Sequence, residues 1–305
     1  MEISLRALRY LVAVADQGSV TAAARRLHVS QPSISEALAA LEAELGLALF
    51  LRHHARGVTP TPAGARVVAE ARQLLAHAGD FARGARALGG EPAGEITLGC
   101  FLTVAPRFLP RLLSAFAERH PAISVRLEEG DQAEILAGIA LGRTELALAY
   151  DFALPEAVEA TPLAALPPHA VLPAKHPLAR RPRLTLAELA GEPLLLLDLP
   201  HSREYFYSLF RAKGLEPRIG FASRSQELIR GMVGNGHGFA IQNAIPRSPH
   251  AVDGSRITAL PLDADLAPVR LMLVAPRGQV ARPAVGMFAG FVREAFRRGG
   301  LFDAG

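Results

Sequence analysis

The first 45 residues of the chain contain three stretches in which apolar residues recur every three or four positions, as on one face of an α-helix. The stripes are Leu8, Leu11, Val12 and Ala15, then Val20, Ala23, Ala24 and Leu27, and finally Ile34, Leu38, Leu41 and Leu45. Gly18 ends the first predicted helix, and Ser19 can cap the second. Ser30 can cap the third, with Pro32 in the first turn, where its missing N–H costs nothing. The pattern therefore predicts three consecutive helices joined by short turns.

The start of the third predicted helix carries short polar side chains on the face turned away from its apolar stripe. These residues are Gln31, Ser33, Ser35 and Glu36, and they could approach the edges of DNA bases closely. Residues 50–60 predict two short extended pieces around a basic turn that contains Arg52 and Arg56. Arginines on such a wing could meet phosphates or the minor groove. The pattern alone also allows a plain helical bundle or a protein-binding module.

A longer residue pattern runs through this whole segment in order. It comprises residues 18–35, Leu41-Glu42, Leu45-Gly46, Leu49-Phe50, Arg52, Arg56-Gly57-Val58 and Thr61-Pro62-Ala63-Gly64. This pattern resembles the LysR-type transcriptional regulator family. The resemblance implies a winged helix-turn-helix domain over residues 1–60 that binds double-stranded DNA at a roughly palindromic operator. The expected DNA-binding residues are Gln31, Pro32, Ser33, Ser35, Glu36, Arg52 and Arg56.

An alanine-rich helix is predicted over residues 61–88 and is assigned to a linker that spans residues 61–90. One face of it repeats roughly by heptads, through Ala65, Val68, Arg72, Leu75 and Ala82. The resemblance implies that such helices pair antiparallel between subunits, so Val68 and Leu75 are expected on the dimer face of a dimer or tetramer. The run at residues 89–94 is glycine-rich and is expected to be a flexible joint and domain boundary.

Beyond the joint, short apolar runs alternate with helical patterns, as in a parallel sheet. In the first part these segments are 95–99, 109–120, 124–128, 133–141 and 145–150, and in the second they are 170–172, 184–189, 193–197, 202–213, 219–222, 226–235 and 238–241. A strand at 269–274 and a helix at 285–297 are expected to return to the first part.

The resulting fold class is α+β multidomain: a winged helix-turn-helix, a linker helix and a bilobed α/β effector domain over residues 91–305. Lobe I is predicted at about 91–160 and 266–305, and lobe II at about 161–265. Two such lobes resemble the effector domain of the LysR-type family, which is similar to periplasmic solute-binding proteins.

Ligands in such folds lie outside the carboxyl ends of strands, between the lobes. The expected effector-binding residues are Cys100, Thr103, Phe152, His201, Ser202, Arg203 and Gln242. Thr103 and Ser202 each lie where a strand gives way to a helix, so their hydroxyls and free N–H groups could converge on an anion. They could also be ordinary helix caps. A small carboxylate or similar anion is therefore the predicted effector.

Other residues near the predicted cleft leave the ligand class open. Phe101 and Phe152 could stack on an unsaturated ligand, or could simply be core aromatics. The sequence Ile241-Gln242-Asn243 stands where the resembled pattern usually reaches Leu-Pro. An amide of Gln242 or Asn243 could bind a polar ligand, or this segment could be a solvent-facing loop.

The composition limits the partners and the compartment expected for the protein. The net charge of +4 rests on arginine, since Lys175 and Lys213 are the only lysines, and it permits a polyanionic partner without indicating one. A single cysteine, Cys100, and an N-terminus without a signal pattern favour the cytoplasm. No apolar run approaches the roughly 18 residues that a membrane helix needs.

Other classes of protein have less support from the sequence. An enzyme would need a catalytic motif, but there is no G-x-S-x-G, H-E-x-x-H or P-loop pattern. The ten histidines are scattered, so neither a metal nor another cofactor is expected. Cys100 could be a redox sensor or a small buried hydrophobe. A solute-transport protein would share the bilobed domain but lack the helix-turn-helix.

Overall fold

The computed structural model describes residues 3–53, 57–87 and 93–302. The N-terminal part consists of helices α1 (Leu5–Gln17), α2 (Val20–Leu27) and α3 (Gln31–Leu45), followed by the antiparallel strands β1 (Phe50–His53) and β2 (Gly57–Pro60). The hydroxyls of Ser4, Ser19 and Ser30 accept backbone N–H bonds at the starts of the three helices. The predicted helix-turn-helix and wing are confirmed, while Arg56 and most of the predicted joint at 89–94 lie outside the described residues.

The wing is held against the turn between α1 and α2. Gly18 ends α1 in the left-handed conformation, with φ +59°. Its carbonyl accepts a hydrogen bond of 2.8 Å from the N–H of Val58. A Cβ on Gly57 would lie 2.2 Å from the same carbonyl oxygen, so only glycine allows this close approach.

Helix α4 (Pro62–Ala87) lies against α1 and completes the N-terminal core. Val68, 1% exposed, and Ala71 are buried there, and Leu75 packs against the same cluster. Val68 is therefore not available for the expected dimer face, whereas Leu75 is only partly buried and its place there stays a prediction. Heptad spacing shows which residues share a stripe but does not reveal what covers it. Among the side chains of α4 that the structure describes, the large apolar ones that are exposed are Leu74, 51% exposed, and Phe81, 78% exposed, seven positions apart.

The same helix also contacts the C-terminal part. Gly142, with φ +63°, approaches α4 so closely that a Cβ there would lie 2.8 Å from the Cα of Ala69. Further along α4, the side chain of Gln73 is hydrogen-bonded to that of Gln279. Helix α4 thus connects the two parts by direct packing on both sides.

The C-terminal part contains ten strands and six α-helices in the described residues. In chain order they are β3 (Gly94–Phe101), α5 (Ala105–Arg119), β4 (Ile123–Gly130), α6 (Gln132–Ala140), β5 (Leu146–Tyr150), β6 (Val158–Leu166), β7 (His169–Pro173), α7 (Leu186–Leu189), β8 (Leu194–Leu197), α8 (Ser202–Arg211), β9 (Ile219–Ser223), α9 (Gln226–Gly234), β10 (Ala240–Gln242), β11 (Ile257–Pro261), β12 (Val269–Pro276) and α10 (Pro283–Phe296). A 3-10 turn spans Pro177–Arg180. No helix among the described residues is long and apolar enough to cross a membrane.

Lobe I is built on a sheet with the strand order β4-β3-β5-β12-β6. The chain returns through β12 and α10, as predicted. The sheet is mixed rather than parallel, because β12 runs antiparallel to β5 and β6. The sequence analysis missed β6, which contains Pro162 and three alanines. Because β6 is an edge strand, it can accommodate a proline that lacks a ladder N–H.

Lobe II contains the antiparallel strands β10-β7-β11 and the parallel pair β8-β9. A bridge between Leu194 and Phe239 joins the two groups. Strand β11 is a further element that the sequence analysis missed. The carboxyl ends of β3 and β5 in lobe I and of β8 in lobe II border the space between the lobes.

We predict that Val68→Ala lowers the free energy of unfolding by about 2 kcal/mol, because it removes buried methyl groups from the N-terminal core. Arg66→Ala, two positions earlier on α4, should change it by less than about 0.5 kcal/mol because the side chain is exposed. Urea unfolding followed by circular dichroism measures both. A larger loss for Arg66→Ala than for Val68→Ala would mean that α4 presents the opposite face to the core.

Candidate functional site

The first turn of α3 forms an exposed polar surface. Gln31, Pro32, Ser33 and Glu36 are exposed and Ser35 is partly exposed, while Ile34 on the opposite face is fully buried. The Thr21 hydroxyl of α2 donates to the Gln31 Oε1 at 3.1 Å. The Ser33 hydroxyl lies 2.7 Å from that of Ser30 and so belongs to the helix cap. The five residues expected to contact DNA from α3 therefore share one surface.

The wing extends from the same domain. Arg52 is exposed on β1, opposite Val58 of β2. The imidazole Nε2 of His53 lies 2.8 Å from the Thr59 hydroxyl, which links the two strands. Arg52 is therefore on a short, cross-linked hairpin with its side chain at the surface.

The cleft between the lobes is almost closed in this structure. It encloses a cavity of about 20 Å³, which is room for about one water. Its walls are Phe101, Thr103, Tyr150, Phe152 and Val269 of lobe I, and Leu197, Ser202, Tyr205, Phe206, Gln226, Ile241, Gln242, Asn243 and Ala244 of lobe II. None of these lining residues carries a charged side chain.

A chain of aromatic rings crosses this cleft. The ring centroids of Tyr150 and Phe152 are 5.5 Å apart, and Phe152 is again 5.5 Å from Tyr205 of lobe II. Asn243 donates its side-chain N–H to the Tyr205 hydroxyl at 2.8 Å. Burial raises the pKa of Tyr205 to about 12, so its hydroxyl stays protonated and can donate to the Ala267 carbonyl at 3.1 Å. The contact between Phe152 and Tyr205 is one of the contacts that join the lobes.

Gln242 stands out among the polar groups of the cleft. Its residue is only 5% exposed, and its side-chain Oε1 is buried with no hydrogen-bond partner among the described residues. A buried acceptor without a partner is costly. By contrast, the Thr103 hydroxyl lies 2.9 Å from that of Tyr150 and is already paired.

Buried Gln132 fixes the backbone of Tyr150 and Phe152 through three hydrogen bonds. Its Nε2 donates to the carbonyls of Tyr150 and Phe152, both at 2.8 Å. Its Oε1 accepts from the Tyr150 N–H at 3.2 Å. Gln132, Tyr150 and Tyr205 are not among the site residues predicted from the sequence. Of these, Tyr205 lies one turn into the predicted helix that starts at Ser202. Its nearness to Ser202 could have indicated that it lines the same cleft.

The structure brings only some of the expected effector-binding residues together. Thr103, Phe152, Ser202 and Gln242 line the cleft, whereas Cys100, His201 and Arg203 do not. Cys100 points into the core of lobe I, and His201 has a φ of +64° just before α8. Neighbouring residues of a strand face opposite sides of the sheet. Because Phe101 faces the cleft, its neighbour Cys100 on β3 faces away from it.

Arg203 and the start of α8 are engaged within lobe II. The guanidinium Nε of Arg203 donates to Asp198 at 2.7 Å, and this hydrogen bond lowers the pKa of the Asp198 carboxyl. The backbone N–H groups of Ser202 and Arg203 donate to the Leu199 carbonyl at 3.1 and 3.3 Å. These two amides are therefore not unpaired donors pointing at the cleft.

An ion pair bridges the lobes outside the lining of the cleft. The Arg224 guanidinium, after β9, lies 3.0 Å from Asp131 at the start of α6. Asp131 is largely buried and also accepts the N–H bonds of Ala133 and Glu134, each at 3.0 Å. Because the carboxylate is held in place by these bonds, Arg224 has a fixed partner in lobe I.

Two family descriptions match successive parts of the chain. The description "Bacterial regulatory helix-turn-helix protein, lysR family" matches residues 5–65. The description "LysR substrate binding domain" matches residues 89–297, which is more than half of the chain.

Individual relatives match the chain over nearly its full length. The Uncharacterized HTH-type transcriptional regulator YnfL of Escherichia coli K12 is 34% identical over 303 residues, covering 97% of this chain and 100% of that protein. The structure of HinK, a LysR family transcriptional regulator from Pseudomonas aeruginosa, has 37% identity and a TM-score of 0.64, covering 97% and 99% of the two chains. Full-length CbnR complexed with its target DNA has 28% identity and a TM-score of 0.58, covering 95% and 98%.

We predict that Cys100 of the native chain reacts with N-ethylmaleimide far more slowly than in the chain unfolded in guanidinium chloride. Burial, together with the nearby Glu129 carboxylate, raises the pKa of the Cys100 thiol, so the reactive thiolate is scarce. Raising the pH through the ordinary thiol range should accelerate labelling of the unfolded chain but not of the native one. Mass spectrometry measures the labelling, and equal rates would make Cys100 an accessible thiol and revive the redox-sensor hypothesis.

Proposed function

The chain belongs to the LysR family of bacterial transcriptional regulators, and from this premise we propose that a small ligand held between its two lobes controls how the N-terminal domain binds DNA. The chain is a DNA-binding transcriptional regulator with an effector-binding domain. We place its action in the cytoplasm, on a roughly palindromic operator. The observation that carries the proposal is the nearly closed, two-lobed cleft with an unpartnered acceptor in its wall.

The proposed DNA-binding surface comprises the first turn of α3 and the wing. Its support is the exposed polar face of α3, opposite a fully buried stripe, and the exposed side chain of Arg52. The α3 residues can reach base edges, whereas Arg52 and Arg56 contact phosphates. Two copies are needed because one short helix reads few base pairs. The exposed Leu74 and Phe81 of α4 supply the apolar stripe for that self-association.

The proposed effector is a small unsaturated molecule that donates a hydrogen bond to Gln242. Its support is the aromatic, uncharged lining and the buried Oε1 of Gln242, which a donor would satisfy. Phe152 and Tyr205 provide ring faces on opposite lobes, between which a flat ligand can lie.

A carboxylate is the second candidate, as the sequence analysis expects. The buried hydroxyls of Thr103 and Ser202 favour it, since they lie on opposite lobes of the same cleft. Arg203 and the amides at the start of α8 give the carboxylate less support. Arg203 is paired with Asp198, and the amides are bonded to the Leu199 carbonyl. The two candidates differ in whether the ligand donates to Gln242.

Ligand binding changes the angle between the lobes. A ligand larger than a water must separate Phe152 from Tyr205, and it thereby strains or breaks the pair of Arg224 with Asp131. Lobe I transmits the change through the contact of Gly142 with Ala69 on α4. A difference of about 1 to 3 kcal/mol in ligand affinity between the two lobe angles is enough for regulation.

We predict that Ser35→Ala relaxes base preference, with a loss of about 1 kcal/mol for the preferred operator only. Arg52→Ala should instead weaken binding to every sequence alike and reduce the slope of log affinity against log salt by about 1. Fluorescence anisotropy with the operator and with scrambled duplexes measures both. An Arg52→Ala variant that changed the preference for one base would contradict its assignment to the backbone.

We predict that the cleft prefers carboxamides to the matching carboxylates, for example benzamide to benzoate, because the amide N–H can donate to Gln242. Gln242→Leu should weaken carboxamide binding by about tenfold and abolish the preference. Gln226→Leu is the matched control, since Gln226 lines the same cleft but is partly exposed. Calorimetry over a panel of such pairs measures the preference. Tighter carboxylate binding that is lost in a Thr103→Ala, Ser202→Ala double variant would favour the second candidate instead.

A further inference from the structure

A second pocket lies between the DNA-binding part and the base of lobe I. Its volume is about 290 Å³, and it shares no lining residue with the cleft between the lobes. Val12 of α1 lines it, together with α4 residues from Arg72 to Gly79. Lobe I contributes the start of β3, Arg126 of β4, the loop at 142–145 and Arg282. The pocket therefore lies where α1, α4 and lobe I meet.

Four arginines and two glutamates line this pocket: Arg72, Arg126, Arg143 and Arg282, with Glu95 and Glu145. Arg282 is bonded to Glu145 through two contacts of 2.7 Å. Arg126 lies 3.7 Å from Glu95 and donates to the Thr97 hydroxyl at 3.1 Å. Arg72 is paired with Asp16 of α1. Three of the four cations thus have an acidic partner in the chain.

Arg143 differs from the other three. Its side chain has no ion pair or hydrogen bond with the described residues, and its Nε is buried. The Nε of Arg72 is likewise buried without a partner. A guanidinium donor that has lost its water and gained no acceptor is unfavourable. Because both side chains line one pocket, a single anion placed there could lie against both guanidinium groups.

We propose that this pocket is a second ligand site, which binds a small oxyanion through Arg143, with Arg72 and Arg126 beside it. Carboxylate and phosphate oxygens match the planar fork of a guanidinium and form short, charge-assisted hydrogen bonds. After pairing within the part of the chain that the structure describes, one cation is left over, which suits an anionic group of low charge. The volume admits a small metabolite that carries such a group.

An anion bound here holds the N-terminal domain against lobe I. Arg72 lies on α4, whereas Arg126 and Arg143 lie on lobe I, so an anion shared between them bridges the two parts. The pocket lies at the start of β3, near Thr97, and the cleft lies at the end of the same strand, near Phe101. The chain therefore carries two sites at opposite ends of one strand, and the second acts on the domain joint rather than on the angle between the lobes.

The test uses the full chain and inorganic phosphate, with acetate in a parallel arm and sodium chloride adjusted to keep the ionic strength constant. Phosphate should raise the midpoint of thermal unfolding of the wild type. Arg143→Gln should lose that shift and weaken phosphate binding by about tenfold or more in calorimetry. Arg211→Gln is the control, since it removes an exposed arginine of lobe II and should keep the full shift. Arg126→Gln, a more exposed lining position, provides a second variant and should lose part of it.

An equal shift with acetate would identify a carboxylate as a sufficient ligand group, and a shift with phosphate alone would identify a phosphate group. The proposal is overturned if neither anion produces a shift that depends on Arg143. It is also overturned if Arg143→Gln changes the oligomeric state in light scattering while phosphate has no effect on the wild type. In that case, a carboxylate of a second copy would be the partner of Arg143.

Discussion

Helix α4 packs against both halves of the molecule, and this shared packing fixes where the DNA-binding surface lies relative to the effector domain. Val68 is part of the N-terminal core, while the next residue, Ala69, touches Gly142 of lobe I. Adjacent residues of one helix cannot move independently. A movement of lobe I must therefore shift the N-terminal domain or break one of these two contacts, which is the property that a regulated DNA-binding protein needs.

Lobe I is the element through which both proposed ligands act. Its sheet carries the aromatic wall of the cleft at one end and the arginine pocket at the other. Strand β3 is largely buried along its length and is hydrogen-bonded to β4 on one side and β5 on the other. It therefore forms a rigid connection between the two sites. The lobes meet through Phe152 on Tyr205, and the joint with α4 depends on Gly142. The contact of Phe152 with Tyr205 adds to a hydrophobic core that buried residues of both lobes share, such as Leu98 and Phe210.

Most of the fold could be predicted from the sequence, because local residue patterns determine most of its helices and strands. Apolar stripes and the caps Ser19 and Ser30 define the three N-terminal helices, and the length of the apolar runs identifies most strands. The failures involve contacts between distant residues. Periodicity placed Val68 on a stripe but could not show that α1 covers it. Arg203 is a different case, because its partner Asp198 is only five positions away and the sequence does not show which acceptor the guanidinium meets.

The cavity between the lobes has room for about one water, so the proposed effector fits there only after Phe152 and Tyr205 separate. Opening must then precede binding, and the observed association rate will level off at the opening rate as the ligand concentration rises. The apparent affinity is also reduced by the fraction of molecules that are open. A change that loosens the pair of Arg224 and Asp131 would therefore quicken the response and lower the ligand concentration that triggers it, without altering any residue that touches the ligand.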